Sequence, residues 1–185
     1  AVEDKDLGPS NCLTTGRSMT KERVLNLFER GLAIGKSLKQ PILISESVPG
    51  GTTTAQAVME AFGLRVSNLV GSSLFKAPRE LRRHIVQKGL QNANLENNCD
   101  SFDVIASVGD PFQAFSMGLL IGARSVDQPV ILSGGSQMIA VILLALEFLD
   151  VKNKDDFVQD VFIATTGWLV KDNSLNDLLN LINER

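Results

Sequence analysis

The sequence contains few of the side chains that build metal centres, disulfides or catalytic triads. Cys12 and Cys99 are the only cysteines, and His84 is the only histidine. A disulfide framework and a structural zinc site therefore lack ligands, and a Ser-His-Asp triad could use only His84. We expect no bound metal and no cofactor, and we expect the reducing cytoplasm as the compartment.

Long apolar runs and clusters of like charge are also missing. The longest apolar run, residues 138–146, is far shorter than the roughly 18 to 20 residues that span a bilayer. The net charge is -3, and lysine and arginine are scattered along the chain. This pattern offers no electrostatic surface for nucleic acid or an anionic membrane. We expect neither as a partner.

The composition is that of an ordinary globular protein. Its 185 residues are 44% apolar and 21% charged, which is enough for one hydrophobic core. We predict a single α/β nucleotide-binding domain over residues 1–185, with 1–14 irregular. The first residue is not methionine, and the last stretch, "SLNDLLNLINER", has a helical pattern without a terminating glycine or proline. We therefore expect the chain to be part of a longer protein.

Short apolar runs alternate with amphipathic patterns along the chain. Continuous apolar residues predict strands buried on both faces, at 42–45, 103–107, 129–133 and 161–165. A weaker run at 65–70 is a possible edge strand. Helical patterns begin near residue 20 and then occupy 52–62, 79–92, 111–123 and 136–149. This alternation predicts an α/β fold, a three-layer, Rossmann-like sandwich with a mainly parallel sheet.

Three of the predicted strands run through glycine into a helix. The segments are "ILISESVPGGTTT", "VIASVGDPF" and "VILSGGSQM". Because the carboxyl ends of parallel strands meet on one side of a sheet, three such loops can build one pocket.

The first loop suggests an anion site. Glycines let the backbone approach a ligand, and a threonine hydroxyl can cap a helix whose exposed amides favour phosphate or carboxylate; the residues are Gly50, Gly51, Thr52 and Thr53. No lysine follows, so the loop is not a Walker motif, and it is not a G-x-G-x-x-G fingerprint. The alternative is that these residues only form a turn and cap the helix.

Two carboxylates and one further loop are candidates for the same pocket. Glu46 follows the first strand and could accept hydrogen bonds from a ribose or azole, or take a proton; the alternative is a solvated loop carboxylate. Asp110 precedes Pro111 and could equally be a helix cap. The third loop repeats the design of the first with Gly134, Gly135, Ser136 and Gln137.

Basic and aromatic residues near the loops have weaker signals. Arg82 or Lys76 could neutralise a phosphate, although such charges usually solvate a helix face. His84 is expected on an exposed helix surface, and Trp168 in the core. The apolar helix at 138–146 is expected at the centre of the molecule or at a subunit interface. With the small residues Gly118, Gly122 and Ala123 it predicts self-association.

Taken together, these motifs resemble a known enzyme family. "ESVPGGTTTA", a downstream "GDP", "LSGGSQM" and the upstream "TGRSM" resemble the nicotinate-nucleotide:dimethylbenzimidazole phosphoribosyltransferases over residues 14–170, specifically their archaeal and cyanobacterial branch. Bacterial enzymes carry Glu-Met-Gly-Ile-Gly-Asn-Thr-Thr at the first motif. This sequence matches it at Glu46, Gly50, Thr52 and Thr53 and departs from it at Ser47, Val48, Pro49 and Gly51.

The resemblance implies a fold, an activity and site residues. It implies a three-layer α/β homodimer that transfers the ribose phosphate of nicotinate mononucleotide to a benzimidazole, for the lower loop of cobalamin. Glu46 and the loop from Gly50 to Thr53 would lie at the nucleotide, beside Gly71, Ser72 and the third loop. The family's general base is a glutamate in a glycine-rich segment beyond the region matched, and Glu184 has no such context. A non-catalytic nucleotide- or base-binding module and an α/β scaffold whose glycines only form turns therefore remain alternatives.

Overall fold

A computed structural model describes residues 8–71, 78–96, 98–150, 152, 154–167 and 174–183. These ranges contain a short 3-10 helix, eight α-helices and three β-strands. In chain order they are the 3-10 helix Leu13–Thr15, α1 Lys21–Ser37, β1 Ile42–Ser45, α2 Gly51–Ala61, α3 Arg79–Ala93, α4 Ser101–Val108, α5 Pro111–Arg124, β2 Val130–Ser133, α6 Ser136–Phe148, α7 Lys154–Val158, β3 Val161–Ala164 and α8 Ser174–Asn183.

The three strands form one parallel sheet in the order β1-β2-β3. In register, Ser45 lies beside Ser133, and Ser133 lies beside Ala164. All three strands therefore end on one line, and the loops that follow them emerge together. The α/β class and the parallel sheet are confirmed, as are the predicted strands at 42–45, 129–133 and 161–165, with ends shifted by at most one residue.

The strand predicted at 103–107 is wrong, because this segment is helix α4. Asp100 caps it by accepting a hydrogen bond from the Asp103 amide at 2.7 Å. Its buried residues recur at the spacing of a helix face, at Ser101, Val104, Ile105 and Val108. A short apolar run does not by itself distinguish a strand from a buried helix, and here the capping aspartate was the overlooked signal.

The possible edge strand at 65–70 is not a strand either. Val66 and Val70 are buried in the core, at 0% and 2% exposure. The Leu69 amide donates to the Val66 carbonyl at 2.9 Å, so the segment closes a turn instead of pairing with the sheet. The burial of these two valines, four residues apart, comes from core packing and not from strand pairing.

The two faces of the sheet differ in burial. Ile44, Val130 and Leu132 face the core. On the opposite face Leu43 and Phe162 are 58% and 53% exposed. The expectation that each strand is buried on both faces is therefore wrong for β1 and β3.

Helices α1 and α5 run side by side in the same direction at very short range. An ideal β-carbon at Gly31 would lie 2.1 Å from the Phe115 carbonyl oxygen, and one at Gly118 would lie 2.1 Å from the Phe28 carbonyl oxygen. Gly122 is equally confined. The small residues that we expected to support self-association thus serve packing inside the chain.

Helix α6 lies at the centre of the hydrophobic core. Its buried residues run without interruption from Gln137 to Leu146. This confirms a central helix, the first of the two places expected for residues 138–146. Across the ranges that the structure describes, none of the helices combines the length and apolar character needed to cross a membrane.

Candidate functional site

A cavity of about 920 Å³ opens at the carboxyl ends of the three strands. This volume is within the range of small-molecule sites. Residues 45–50 after β1, Thr52, Gly71, residues 133–137 after β2 and residues 164–166 after β3 line it. The strand-end pocket predicted from the sequence therefore exists, with one change: its third loop follows β3, because 103–107 is helical.

The cavity brings together many of the predicted site residues. Those that line it are Glu46, Gly50, Thr52, Gly71, Gly134, Gly135, Ser136 and Gln137. The other predicted residues, Gly51, Thr53, Asp110 and Arg82, are not part of this lining. Ser72, Lys76 and Trp168 fall outside the described residues. His84 is exposed on α3, as expected, away from the cavity.

Glu46 is half-buried at the mouth of the sheet. Burial raises the pKa of its carboxyl group, while the Gly135 amide and the Gln137 side chain act in the opposite direction by favouring the charged form. Its Oε2 atom is buried and has no hydrogen-bond partner within the described part of the chain. A buried carboxylate oxygen without a partner is costly, and a polar ligand would satisfy it.

Gln137 lies beneath the first loop. An ideal β-carbon at Gly51 would lie 1.8 Å from Gln137 Oε1, so any other residue at position 51 would displace the end of this side chain. Gln137 is 7% exposed, and Oε1 is buried without a partner among the residues described. Gly51 therefore also makes room for the Gln137 side chain.

Gly50 has a different reason to be glycine. Its φ of 78° lies in the left-handed region that disfavours other residues. Among the residues that the structure describes, none has an atom within 4 Å of a β-carbon placed there. The Gly-Gly pair thus combines a conformational requirement at the first position with a spatial one at the second.

The two helices that begin at the cavity lack side-chain caps. Helix α2 follows Gly50 and α6 follows Gly135, and neither N-terminus has a side-chain hydrogen bond. Thr20, Asp100 and Asp110 cap α1, α4 and α5. At α2 the amides of Gly51 and Thr53 already donate to the carbonyls of Val48 and Gly50, at 3.0 and 2.8 Å. The positive ends of both helix dipoles still face the cavity and favour an anion there.

The threonine cap that both interpretations of the first loop expected at α2 is not formed within the described residues. Thr54 donates to the Gly51 carbonyl at 3.0 Å and lies 2.5 Å from Asp110 Oδ2. Asp110 forms a capping box with Gln113, through bonds of 3.0 and 3.1 Å. The helix-capping alternative for Asp110 therefore matches its geometry.

Asp110 is 4% exposed, and burial raises the pKa of its carboxyl group. The Thr54 hydroxyl and the amides of Gln113 and Phe112 oppose this shift. Asp110 links α2 to α5 behind the cavity, where it supports the first loop.

Arg82 is buried at 6% exposure and points to backbone carbonyls, not into the cavity. Its guanidinium donates to the Val70 oxygen at 2.9 Å and to the Gly71 oxygen at 3.2 Å. This arrangement does not support the expected direct contact with a phosphate.

Sequence reasoning missed the third side of the cavity. Thr165 and Thr166 follow β3 and line the cavity, and Thr165 Oγ1 is another buried atom with no partner in the described ranges. Their signal was a pair of hydroxyls at the carboxyl end of the strand predicted at 161–165. The described residues include no cluster of three or more His, Cys, Asp or Glu side chains that could hold a metal ion.

Comparison with known proteins places this geometry in a family. A family model described as phosphoribosyltransferase matches residues 4–152. A UPF0284 protein of Prochlorococcus marinus strain MIT 9312 is 88% identical over 184 residues, which are 100% of this chain and 48% of the relative. The chain thus spans about half the length of the curated relatives it matches.

Two crystal structures from Thermus thermophilus share the fold. One is a nicotinate-nucleotide-dimethylbenzimidazole phosphoribosyltransferase, at 19% identity and a TM-score of 0.65, over 94% of this chain and 50% of that one. The other is CobT, at 21% identity and a TM-score of 0.67, over 92% and 51%. The family match extends over most of the sequence, so the chain belongs to this phosphoribosyltransferase family.

Proposed function

We propose that this chain is the nucleotide-binding part of a phosphoribosyltransferase that acts on nicotinate mononucleotide. The acceptor is a benzimidazole or related azole, and the product serves the lower loop of a cobamide. One observation carries the proposal: after each of the three strands, one residue of the cavity lining holds a buried polar atom that has no partner among the described residues. They are Glu46 Oε2, Gln137 Oε1 and Thr165 Oγ1. A polar ligand would satisfy all three.

The phosphate of the nucleotide is proposed to lie between the N-termini of α2 and α6. Both helices start after a glycine, and neither start is capped by a side chain. Lysine and arginine are missing from the described cavity lining. An anion bound here would therefore rely on backbone amides and hydroxyls, for which helix N-termini are suited.

Glu46 is proposed to face the ribose or the incoming azole. In the transfer, a bond forms between an azole nitrogen and C1′ of the ribose while the bond from C1′ to nicotinate breaks. The azole also loses a proton, which a carboxylate can accept. The raised pKa of Glu46 makes its carboxylate a better proton acceptor than a solvated one.

A second candidate function is a nucleotide-binding module that catalyses no reaction. Among the described residues that line the cavity, Glu46 is the single ionisable side chain. One carboxylate would have to orient the substrate and accept the proton. If the base is supplied elsewhere in the longer protein, this chain by itself binds the nucleotide without reaction.

The test uses the full-length protein incubated with nicotinate mononucleotide and a panel of azoles. Mass spectrometry would detect nicotinate and an α-ribosyl azole phosphate together if the proposal holds. Nucleotide binding in calorimetry without either product would favour the binding module. Absence of both binding and products would overturn the proposal.

From the family resemblance, we also propose that the full-length protein is a homodimer in the cytoplasm. Neither α6 nor the glycines of α5 support the dimer, because they pack inside the chain. Sedimentation equilibrium of the full-length protein would decide the oligomeric state. A monomer at high concentration would exclude the dimer.

A further inference from the structure

Arg82 is linked to the cavity lining by hydrogen bonds through one peptide group, the one between Val70 and Gly71. Its Nη2 donates to the Val70 carbonyl oxygen at 2.9 Å. The N–H on the other side of that same peptide belongs to Gly71, and it donates to Ser136 Oγ at 3.2 Å. Gly71 and Ser136 both line the cavity, whereas Arg82 does not.

The peptide between Val70 and Gly71 is held from both sides. Arg82 Nη1 also donates to the Gly71 carbonyl at 3.2 Å, so one guanidinium fixes two successive carbonyls. The planar guanidinium fork suits such paired contacts and stays charged in proteins. Burial of Arg82 makes each of these bonds stronger than it would be in water.

Ser136 is the end of this chain of bonds. Its oxygen accepts from Gly71, so its hydroxyl proton remains available to another acceptor. Ser136 is also the first residue of α6, at the uncapped N-terminus that faces the cavity. A hydroxyl in this position can donate to an anion already favoured by the helix amides.

We propose that Arg82 is a positioning residue that orients the Ser136 hydroxyl toward an anionic ligand through the Val70–Gly71 peptide. The cation binds the carbonyl, which polarises the N–H on the same peptide and strengthens its bond to Ser136. Arg82 thus affects the anion without touching it. The inference rests on the proposed function only for the identity of the ligand.

The arrangement itself can be tested without ligand, in the full-length protein with glycine-selective 15N labelling. Gly71→Ala assigns the Gly71 resonance. We expect the chemical shift of the Gly71 amide proton to move upfield in Arg82→Met and in Ser136→Ala. Each substitution removes one hydrogen-bond partner of the Val70–Gly71 peptide. Arg82→Lys, which keeps the charge but not the fork, tests the same resonance should the methionine variant fail to fold. An unchanged Gly71 resonance in a folded Arg82 variant would overturn the inference.

Arg124 provides a matched control. It is another arginine whose guanidinium binds backbone carbonyls, those of Phe157 and Gln128 at 3.1 Å. These contacts lie before β3 and β2 begin, at the end of the sheet opposite the cavity. Arg124→Met should lower the melting temperature but leave the Gly71 resonance and ligand affinity unchanged.

Binding then tests the coupling to the ligand. Calorimetry with nicotinate mononucleotide, and with inorganic phosphate, is expected to give about three- to tenfold weaker affinity for Arg82→Met, the coupling typical of contacting residues. In a Ser136→Ala background the same change should have no further effect. Additive losses in the double variant would overturn the inference. Failure of the wild type to bind nicotinate mononucleotide would count against the proposed function, while the Gly71 resonance would still decide the positioning role.

Discussion

Gly134 lies directly against the carboxyl group of Glu46. An ideal β-carbon at residue 134 would come within 2.6 Å of Glu46 Cδ and 2.7 Å of Oε2. The Gly134 amide donates to the Ala164 carbonyl at 2.9 Å, which fixes the backbone at this point. The loop after β2 therefore determines where the carboxylate after β1 can lie.

Gly134→Ala should displace Glu46, because the anchored backbone cannot retreat while the glutamate side chain can rotate. We expect transfer by the full-length protein to fall at least about tenfold, the effect of one misplaced catalytic contact, with little change in melting temperature. Gly167→Ala is the control, since no atom of the described part of the chain lies within 4 Å of a β-carbon there. Equal activity of the two variants would contradict the proposed role of this contact.

Gly51→Ala should force Gln137 out of its site, because the added carbon would overlap Oε1 at 1.8 Å. Overpacking of this kind costs about 1 to 3 kcal/mol in unfolding free energy. Valine, which is larger, should weaken folding as well as nucleotide binding.

A second variant tests whether the collision with Gln137 causes the loss of stability in Gly51→Ala. In Gln137→Ala, which removes the colliding atoms, Gly51→Ala should cost much less stability in urea unfolding. The same penalty in both backgrounds would show that the collision with Gln137 is not the cause.

Much of the fold was readable from local pattern. Continuous apolar runs located three strands, and strand-to-glycine-to-helix segments located two sides of the cavity. The error at 103–107 arose because apolar residues at helical spacing also form a short continuous run, and only the Asp100 cap distinguishes the two.

Side-chain placement inside the site could not be read from the sequence. The contacts between Gly51 and Gln137 and between Gly134 and Glu46 join segments more than 80 residues apart. No local propensity reports such pairs. For the same reason Arg82 was assigned to a phosphate, while its buried guanidinium binds the carbonyls of Val70 and Gly71.

The difference in burial between the two sheet faces can be measured with the same substitution, leucine to alanine, on each face. Leu132→Ala, at 0% exposure, should cost about 2 to 5 kcal/mol in unfolding free energy, as buried leucines do. Leu43→Ala, at 58% exposure, should cost less than about 1 kcal/mol. Urea unfolding of this chain would give both values. A loss at Leu43 as large as that at Leu132 would mean that this face is buried.

Asp110 should make stability depend on pH. Its folded pKa is raised from 3.8 by burial, so its stabilising contribution is present below the unfolded pKa and is lost as pH rises through the folded value. The Thr54 hydroxyl donates to Asp110 Oδ2 at 2.5 Å and favours the charged carboxylate, but burial is the larger effect on the pKa of Asp110.

Asp110→Asn imitates the protonated carboxyl and does not titrate. In urea unfolding at pH 4 to 7, its stability relative to the wild type should therefore increase steadily with pH. A difference between the two proteins that stays constant over this range would contradict a raised pKa at Asp110.

Glu46→Gln should separate binding from transfer. Glutamine keeps the shape of the side chain but cannot accept the azole proton, so the affinity for nicotinate mononucleotide should stay within about threefold while transfer falls by roughly 10²-fold or more. Because the pKa of Glu46 is raised from 4.5 by burial, wild-type kcat/KM should decline toward acid at a pH above that ordinary value. The acid decline should be missing from the residual activity of Glu46→Gln. A variant that transfers as fast as the wild type, or that keeps the same acid decline, would remove Glu46 from the proposed reaction and leave the chain as a nucleotide-binding module.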